Sequence, residues 1–286
     1  MTFCSFNHLL EPKDVSESWF QQRAFQFGDG HFTTAKVEQG KVIWWSRHLQ
    51  RLQQANEKLG IADIEWQQLS YVCQTMSKPI ENGYIKIQIS RGEGVRGYQV
   101  SPDMKPLIFI TANELALSPI MEVNQPVNAV VLKTQLGINP SLAGLKHTNR
   151  IEQSLIQLEL NQLEQTEGLV TDIDGYLVES SKGNAFWLHN KQWYTPKLDR
   201  AGIDGVFRQF LLEQNPQILP VRVKVTEVIG ACDAMFVTNA ITGITPITEL
   251  QYIDEPAQTT MSHKLTANLT IDMISQLGLS MGAYSD

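Results

Sequence analysis

The run Tyr84-Ile85-Lys86-Ile87-Gln88-Ile89 alternates polar and apolar side chains with a period of two, the spacing of a β-strand. The apolar Pro106-Leu107-Ile108-Phe109-Ile110 reads as a second strand, and His31 to Val37 and Lys41 to Trp45 flank Glu38-Gln39-Gly40, whose glycine suits a hairpin. Ser46 is placed to cap a helix whose Leu49, Leu52, Ala55 and Leu59 make one apolar stripe, ended by Gly60, and a further helix is predicted over 66–76. Sheet and helix are therefore mixed from the start.

Further on, Asn128 to Leu132 reads as a buried strand, and Ile151, Leu155, Leu158 and Leu163 follow at near-helical spacing. Short strand candidates at 169–171, 176–179, 185–188, 220–225 and 234–237 alternate with turns and with helices near 205–212, 226–231 and 261–277. The lack of a strict β-α-β rhythm predicts an α+β fold with antiparallel sheet. At 286 residues the chain exceeds the usual single core, which predicts a small N-terminal α/β domain over 1–115, a linker over 116–126 and a larger domain over 127–286.

The bulk properties narrow the function classes. A hydrophobic content of 42% suits a globular protein, and no apolar run approaches the roughly eighteen residues needed to cross a bilayer. The start Met1 to Leu10 lacks a basic segment followed by a long apolar stretch, so a cytoplasmic location is expected. A formal net charge of −7 argues against sequence-independent nucleic-acid binding, which relies on gathered Lys and Arg. Cys4, Cys73 and Cys232 show neither metal-ligand spacing nor an even count for disulfides, and are expected as buried thiols with no metal site. No Gly-x-Gly-x-x-Gly or Walker loop follows a strand into a helix.

Two residues carry candidate chemistry. Lys146, in Gly144-Leu145-Lys146-His147-Thr148-Asn149-Arg150, offers an amine able to form a Schiff base with an aldehyde cofactor. Glu179, in Val178-Glu179-Ser180-Ser181-Lys182-Gly183-Asn184-Ala185-Phe186, offers an acid able to keep such a cofactor's ring nitrogen protonated. Taken alone, a surface lysine and a solvated strand-end glutamate would read the same way.

Five segments in order resemble one family. They are Gln26 to Thr34, His48-Leu49-Gln50-Arg51-Leu52, the Lys146 segment, the Glu179 segment and Asn239 to Pro246. Together they resemble the fold-type IV pyridoxal-phosphate enzymes over nearly the whole chain. Gly28 to Ala35, Ser90 to Tyr98, Gly144 to Arg150 and Thr195 to Gly202 look most like the aminodeoxychorismate lyase branch.

That resemblance implies pyridoxal 5'-phosphate as cofactor, 4-amino-4-deoxychorismate as a small-molecule substrate, and a homodimer. By position it assigns Lys146 to the Schiff base and to proton transfer, Glu179 to the pyridine nitrogen and Arg51 to the phosphate, where a planar guanidinium suits the oxygens. Val206 and Phe207 fall at a helix start that resembles the family's phosphate-binding turn, and Asn239 and Ala240 at a second contact. The aminotransferases commonly carry Thr there, so a hydroxyl donor is lost; Asn239 also reads as a turn residue.

Thr34 aligns with a pocket threonine or is an ordinary strand residue. Arg91 and Arg96, on a glycine-rich loop, are candidates for the substrate carboxylates, or solvated loop charges, and Arg150 is a candidate for the cofactor's phenolic oxygen or a substrate carboxylate. Two other functions share these residues: an aminotransferase of branched-chain or D-amino-acid type, and a non-catalytic small-molecule-binding relative.

Overall fold

The computed structural model describes residues 2–6, 21–94, 97–120, 122–254, 259–265 and 271. The chain divides into two compact units, the first containing the described residues up to Leu117 together with Lys146–Asn149, the second the described residues of Ser118–Leu145 and those from Arg150 onward. The second unit begins ahead of the expected boundary at 127, and the short Lys146 segment clusters with the first unit although it lies far along the chain.

In the first unit, β1 (Thr2–Phe6), β2 (Gly30–Glu38), β3 (Lys41–Val42), β4 (Asn82–Ser90) and β5 (Leu107–Glu114) form a five-stranded sheet in the order β1-β5-β4-β2-β3, every pairing antiparallel. Residues 23–27 form a short helix, α1. Ile85, Ile87 and Ile89 point to one face, where Ile108, Ile110, Ala35 and Val37 join them under Leu52 and Leu69 of α2 (Trp45–Leu59) and α3 (Trp66–Ser77). The alternation in the sequence is thus the two sides of the sheet: one against helices, the other bearing Phe32, Thr34, Lys86 and Gln88.

The hairpin is shorter than expected. Trp44 adopts a left-handed conformation with φ 53° and begins the helix without a side-chain cap, so Ser46 lies inside α2 and Trp45 is helical, not strand. Burial of the two indoles, at 1% and 8% exposure, offsets the cost of this backbone turn.

The second unit holds β6 (Val127–Val131), β7 (Gly168–Thr171), β8 (Leu177–Ser180), β9 (Asn184–His189), β10 (Gln192–Pro196), β11 (Leu219–Val221), β12 (Ala234–Asn239), β13 (Gly243–Asp254) and β14 (Thr259–Lys264). The strands run in the order β11-β10-β9-β12-β13-β6-β7-β8, with β14 paired to β13. Pairing is mostly antiparallel; β6 runs parallel to both β13 and β7, and β10 to β11. One face packs on α6 (Val225–Ala231) and another group packs on α4 (Ile151–Gln162) through Ile156 and Leu160. α5 (Val206–Gln214) buries Phe207 and Phe210.

One expectation fails here. The start of the helix expected over 261–277 is β14, because Met261 pairs with Tyr252 across the sheet; the remainder of that stretch lies outside the described residues apart from 265 and 271. On α4 the residues at near-helical spacing point outward at Ile151, Leu155 and Leu158, which are exposed, while Ile156 and Leu160 are buried. Cys73 and Cys232 are free and buried, and burial pushes the Cys232 thiol up to about 12 and that of Cys73 higher still.

Candidate active site

The Lys146 segment is tied to the start of β2 through its backbone. Phe32 N–H donates to Lys146 O at 2.9 Å, Thr148 N–H donates to Gly30 O at 2.9 Å, and His31 and His147 form an antiparallel bridge. Thr148 Oγ1 adds bonds to the Gly28 and Gly30 carbonyls at 2.5 and 3.1 Å. These contacts fix the backbone of a half-buried lysine whose Nζ lies 4.7 Å from the centre of the Phe32 ring. Lys86 Nζ lies 4.9 Å from the same ring.

Thr34 is two residues from Phe32 and shares its face of β2, whereas Thr33 points the other way and its Oγ1 meets His48 Nδ1 at 2.6 Å. His48 is fully buried. Burial first, then the positive charges of Arg51 and Lys146, hold its pKa well below the usual histidine range. Both cations thus act on one neutral imidazole, which brings Arg51 on α2 and Lys146 on its separate segment into one electrostatic neighbourhood. Its complete enclosure makes His48 a packing partner, not a ligand-facing group.

The two loop arginines separate. Arg91 Nε donates to Asp29 Oδ2 at 2.8 Å, and its two terminal nitrogens donate to Gly60 O and Leu59 O at 2.7 and 2.8 Å. Arg91 therefore closes the C-terminus of α2 in place of meeting a substrate carboxylate, a correction to its expected role: all three of its nitrogens are engaged inside the fold. Arg23 reaches the same Asp29 oxygen at 2.7 Å, and the two guanidiniums act with burial opposed to hold the Asp29 carboxyl below the usual range. Arg96 lies outside the described residues.

In the second unit, Glu179 stands on β8 at 5% exposure, and its Oε2 accepts the Ile203 N–H at 2.8 Å. Gly202 makes this approach possible. Its φ is +84°, and a Cβ there would meet Val178 Cγ1 at 2.5 Å and Glu179 Oε2 at 3.2 Å. Arg150, at the start of α4, feels the Glu179 charge, although burial dominates and lowers its pKa. Arg150 Nε is buried with no hydrogen-bond partner, a donor that an anionic or phenolic oxygen would satisfy.

Val206 and Phe207 open α5, but their side chains are 1% and 0% exposed, so what this turn can offer an anion is backbone N–H and the positive end of a helix. Asn239 Oδ1 accepts the N–H groups of Ile241 and Thr242 at 2.9 and 2.8 Å; its side-chain oxygen serves its own turn, and Ala240 beside it contributes only backbone. His48, Asp29, Asn184 and Arg208 carry buried or partly buried polar contacts that no local pattern in the chain marks. A buried polar residue has no periodic signature of its own. No cluster of three or more metal-ligating side chains occurs among the described residues.

Each unit thus holds candidate chemistry by itself: in the first, a lysine amine beside an aromatic ring, and in the second, a buried carboxylate bonded to a backbone donor and a guanidinium nitrogen without a partner. A family model described as amino-transferase class IV matches residues 30–250. The chain belongs to this family.

Among individual proteins, it is similar to the aminodeoxychorismate lyase of Vibrio harveyi, 31% identical over 229 residues, covering 79% of this chain and 84% of the relative. It is 24% identical to the aminodeoxychorismate lyase of Bacillus subtilis (strain 168), covering 87% and 86% of the two chains. Its fold matches the crystal structure of 4-amino-4-deoxychorismate lyase from Pseudomonas aeruginosa with a TM-score of 0.81 and 28% identity, covering 97% of this chain and 99% of the other. The same fold recurs in the branched-chain amino acid aminotransferase of Escherichia coli, with a TM-score of 0.76 and 16% identity, covering 99% of this chain and 96% of the other.

Proposed function

We propose that this chain is a pyridoxal-phosphate-dependent lyase that converts 4-amino-4-deoxychorismate to 4-aminobenzoate and pyruvate in folate biosynthesis. The observation that carries the reading is the likeness to lyases in both sequence and fold, in a chain that keeps Lys146 fixed against Phe32. When bound, the cofactor supplies an electron-withdrawing ring that stabilises negative charge at the substrate carbon bearing nitrogen.

The protein's part is to bind, orient and move protons. Lys146 would hold the cofactor, and its Nζ would take the proton from the substrate carbon bearing nitrogen and return a proton toward the departing pyruvate. Glu179, kept in place by the Ile203 N–H, would hold the ring nitrogen protonated. Arg51 would serve the cofactor phosphate, as would the backbone N–H groups at Val206 and Phe207, with Asn239 and Ala240 as a second contact. Arg150 Nε would donate to the phenolic oxygen or to a substrate carboxylate, Arg96 would serve a carboxylate, and Thr34 would orient substrate or the Lys146 amine. Loss of the enolpyruvyl group yields an aromatic ring, which drives the reaction forward.

A homodimer fits the outward stripe of α4, where Ile151, Leu155 and Leu158 are 69%, 51% and 53% exposed on one helix. No helix among the described residues is long and apolar enough to cross a membrane. A cytoplasmic location fits a small, charged metabolite as substrate.

The test is turnover of 4-amino-4-deoxychorismate by the protein loaded with pyridoxal phosphate. Equal amounts of 4-aminobenzoate and pyruvate are expected without any amino acceptor. Product that appears only as a keto acid, in proportion to an added amino donor, would replace the lyase by an aminotransferase.

A further inference from the structure

The loop 203–205 is held by side chains from two strands at once. Ile203 N–H donates to Glu179 Oε2 at 2.8 Å, Asn184 Nδ2 donates to Ile203 O at 2.8 Å, and Gly205 N–H donates to Asn184 Oδ1 at 3.1 Å. Asn184 is 4% exposed and uses both ends of its carboxamide on this one loop. The other side is closed by Arg208, which bonds Asp204 Oδ1 at 2.6 Å and Pro196 O at 2.9 Å. The residue after this loop, Val206, opens α5.

We infer that Asn184 is a positioning residue that couples the carboxylate of Glu179 to the first turn of α5, so that the ring-nitrogen end and the phosphate end of the cofactor cradle keep a fixed spacing. The inference rests on the cofactor reading above. A carboxamide suits the task because one planar group both donates and accepts; a carboxylate would lose the bond to Ile203 O and add negative charge near Glu179. The approach leaves no room for a Cβ at 205 unless the Asn184 carboxamide moves. A Cβ built on Gly205 would lie 2.1 Å from Asn184 Oδ1, while the backbone there, at φ −65°, is one that alanine adopts freely.

The geometry therefore sets up a double-mutant cycle. Affinities for pyridoxal phosphate and for pyridoxal, which lacks the phosphate, are measured by fluorescence quenching on the full-length protein and on Asn184→Ala, Gly205→Ala and the double variant. The wild-type preference for the phosphorylated form is expected to fall about tenfold in each single variant. In the Asn184→Ala background, Gly205→Ala should cost less than twofold, since the oxygen it would strike is gone.

A general loss of packing would lower both affinities by the same factor and leave their ratio alone, and that result would overturn the inference. So would strictly additive losses in the cycle. Should Asn184→Ala fail to fold, Gly205→Ala still decides the matter, because an unchanged ratio there contradicts the coupling. Failure of the unmodified protein to bind pyridoxal phosphate at all would instead overturn the cofactor reading, and this inference with it.

Discussion

Glu179 receives the backbone N–H of Ile203 on one carboxylate oxygen, 2.8 Å away, and this contact exists because Gly202 lets the chain pass where a side chain would collide. The acid is thereby aimed before any ligand arrives, which is the preorganisation an electron-sink partner needs.

Replacing Glu179 by Gln keeps an acceptor for Ile203 but removes the charge that favours a protonated ring nitrogen. Pyridoxal phosphate should still bind, within about tenfold of the parent, while 4-aminobenzoate formation slows by about a hundredfold or more. Stopped-flow turnover at saturating substrate checks this, and an unaltered rate removes Glu179 from the chemistry.

Arg51 is assigned to the phosphate, so Arg51→Ala should weaken pyridoxal phosphate by about ten- to a hundredfold and pyridoxal by less than about threefold. Equal losses for the two ligands would mean that Arg51 acts only through packing.

Arg91 behaves oppositely. With its guanidinium bound to Asp29 and to the last carbonyls of α2, Arg91→Ala leaves Asp29 with Arg23 as its one remaining guanidinium and takes the side-chain donor from two carbonyls. A destabilisation of about 3 kcal/mol is expected in urea titration, with KM for substrate within about threefold in the protein that stays folded. A selective rise in KM at unchanged stability would return Arg91 to the substrate.

Burial holds the pKa of His31 down to about 4, with its bond to Asn56 opposing in part. Between that value and the ordinary value of 6.5 the unfolded chain binds a proton that the folded chain does not, so stability falls as pH drops through this window and is complete above it. At pH 5 the loss from this group is about 2 kcal/mol. His48, depressed in the same direction, adds to it. Urea midpoints measured from pH 7.5 to 5 should decline, and His31→Leu should flatten the slope; an identical slope in the variant would assign the acid sensitivity elsewhere.

Leu155→Glu combined with Leu158→Glu places two charges on the exposed stripe of α4. If the stripe is the dimer contact, sedimentation equilibrium should show the parent as a dimer and the variant as a monomer at the same concentration; two dimers would move the interface to another surface.

Much of this was legible in the chain because strand alternation and turn chemistry are local. Ile85, Ile87 and Ile89 announced their buried face, and the glycine at 40 its hairpin. What was not legible depends on tertiary context. Trp44 takes a left-handed backbone that no propensity favours, since burying both indoles outweighs it. The α4 stripe has core spacing but faces outward, as periodicity reports a face without saying what covers it. Arg91 and Arg96 look alike on a loop, and only the position of Asp29 and the end of α2 shows that Arg91 is spent. The bonds from Asn184 span nineteen and twenty-one positions, with nothing in the intervening chain to mark them.

The central claim is that the amine of Lys146 carries the cofactor. The most direct measurement is borohydride reduction of the protein incubated with pyridoxal phosphate, followed by peptide mapping by mass spectrometry. A single phosphopyridoxyl adduct on the peptide containing Lys146, absent from Lys146→Ala, is the predicted result. An adduct on another lysine, with Lys146 unmodified at full cofactor occupancy, would contradict it.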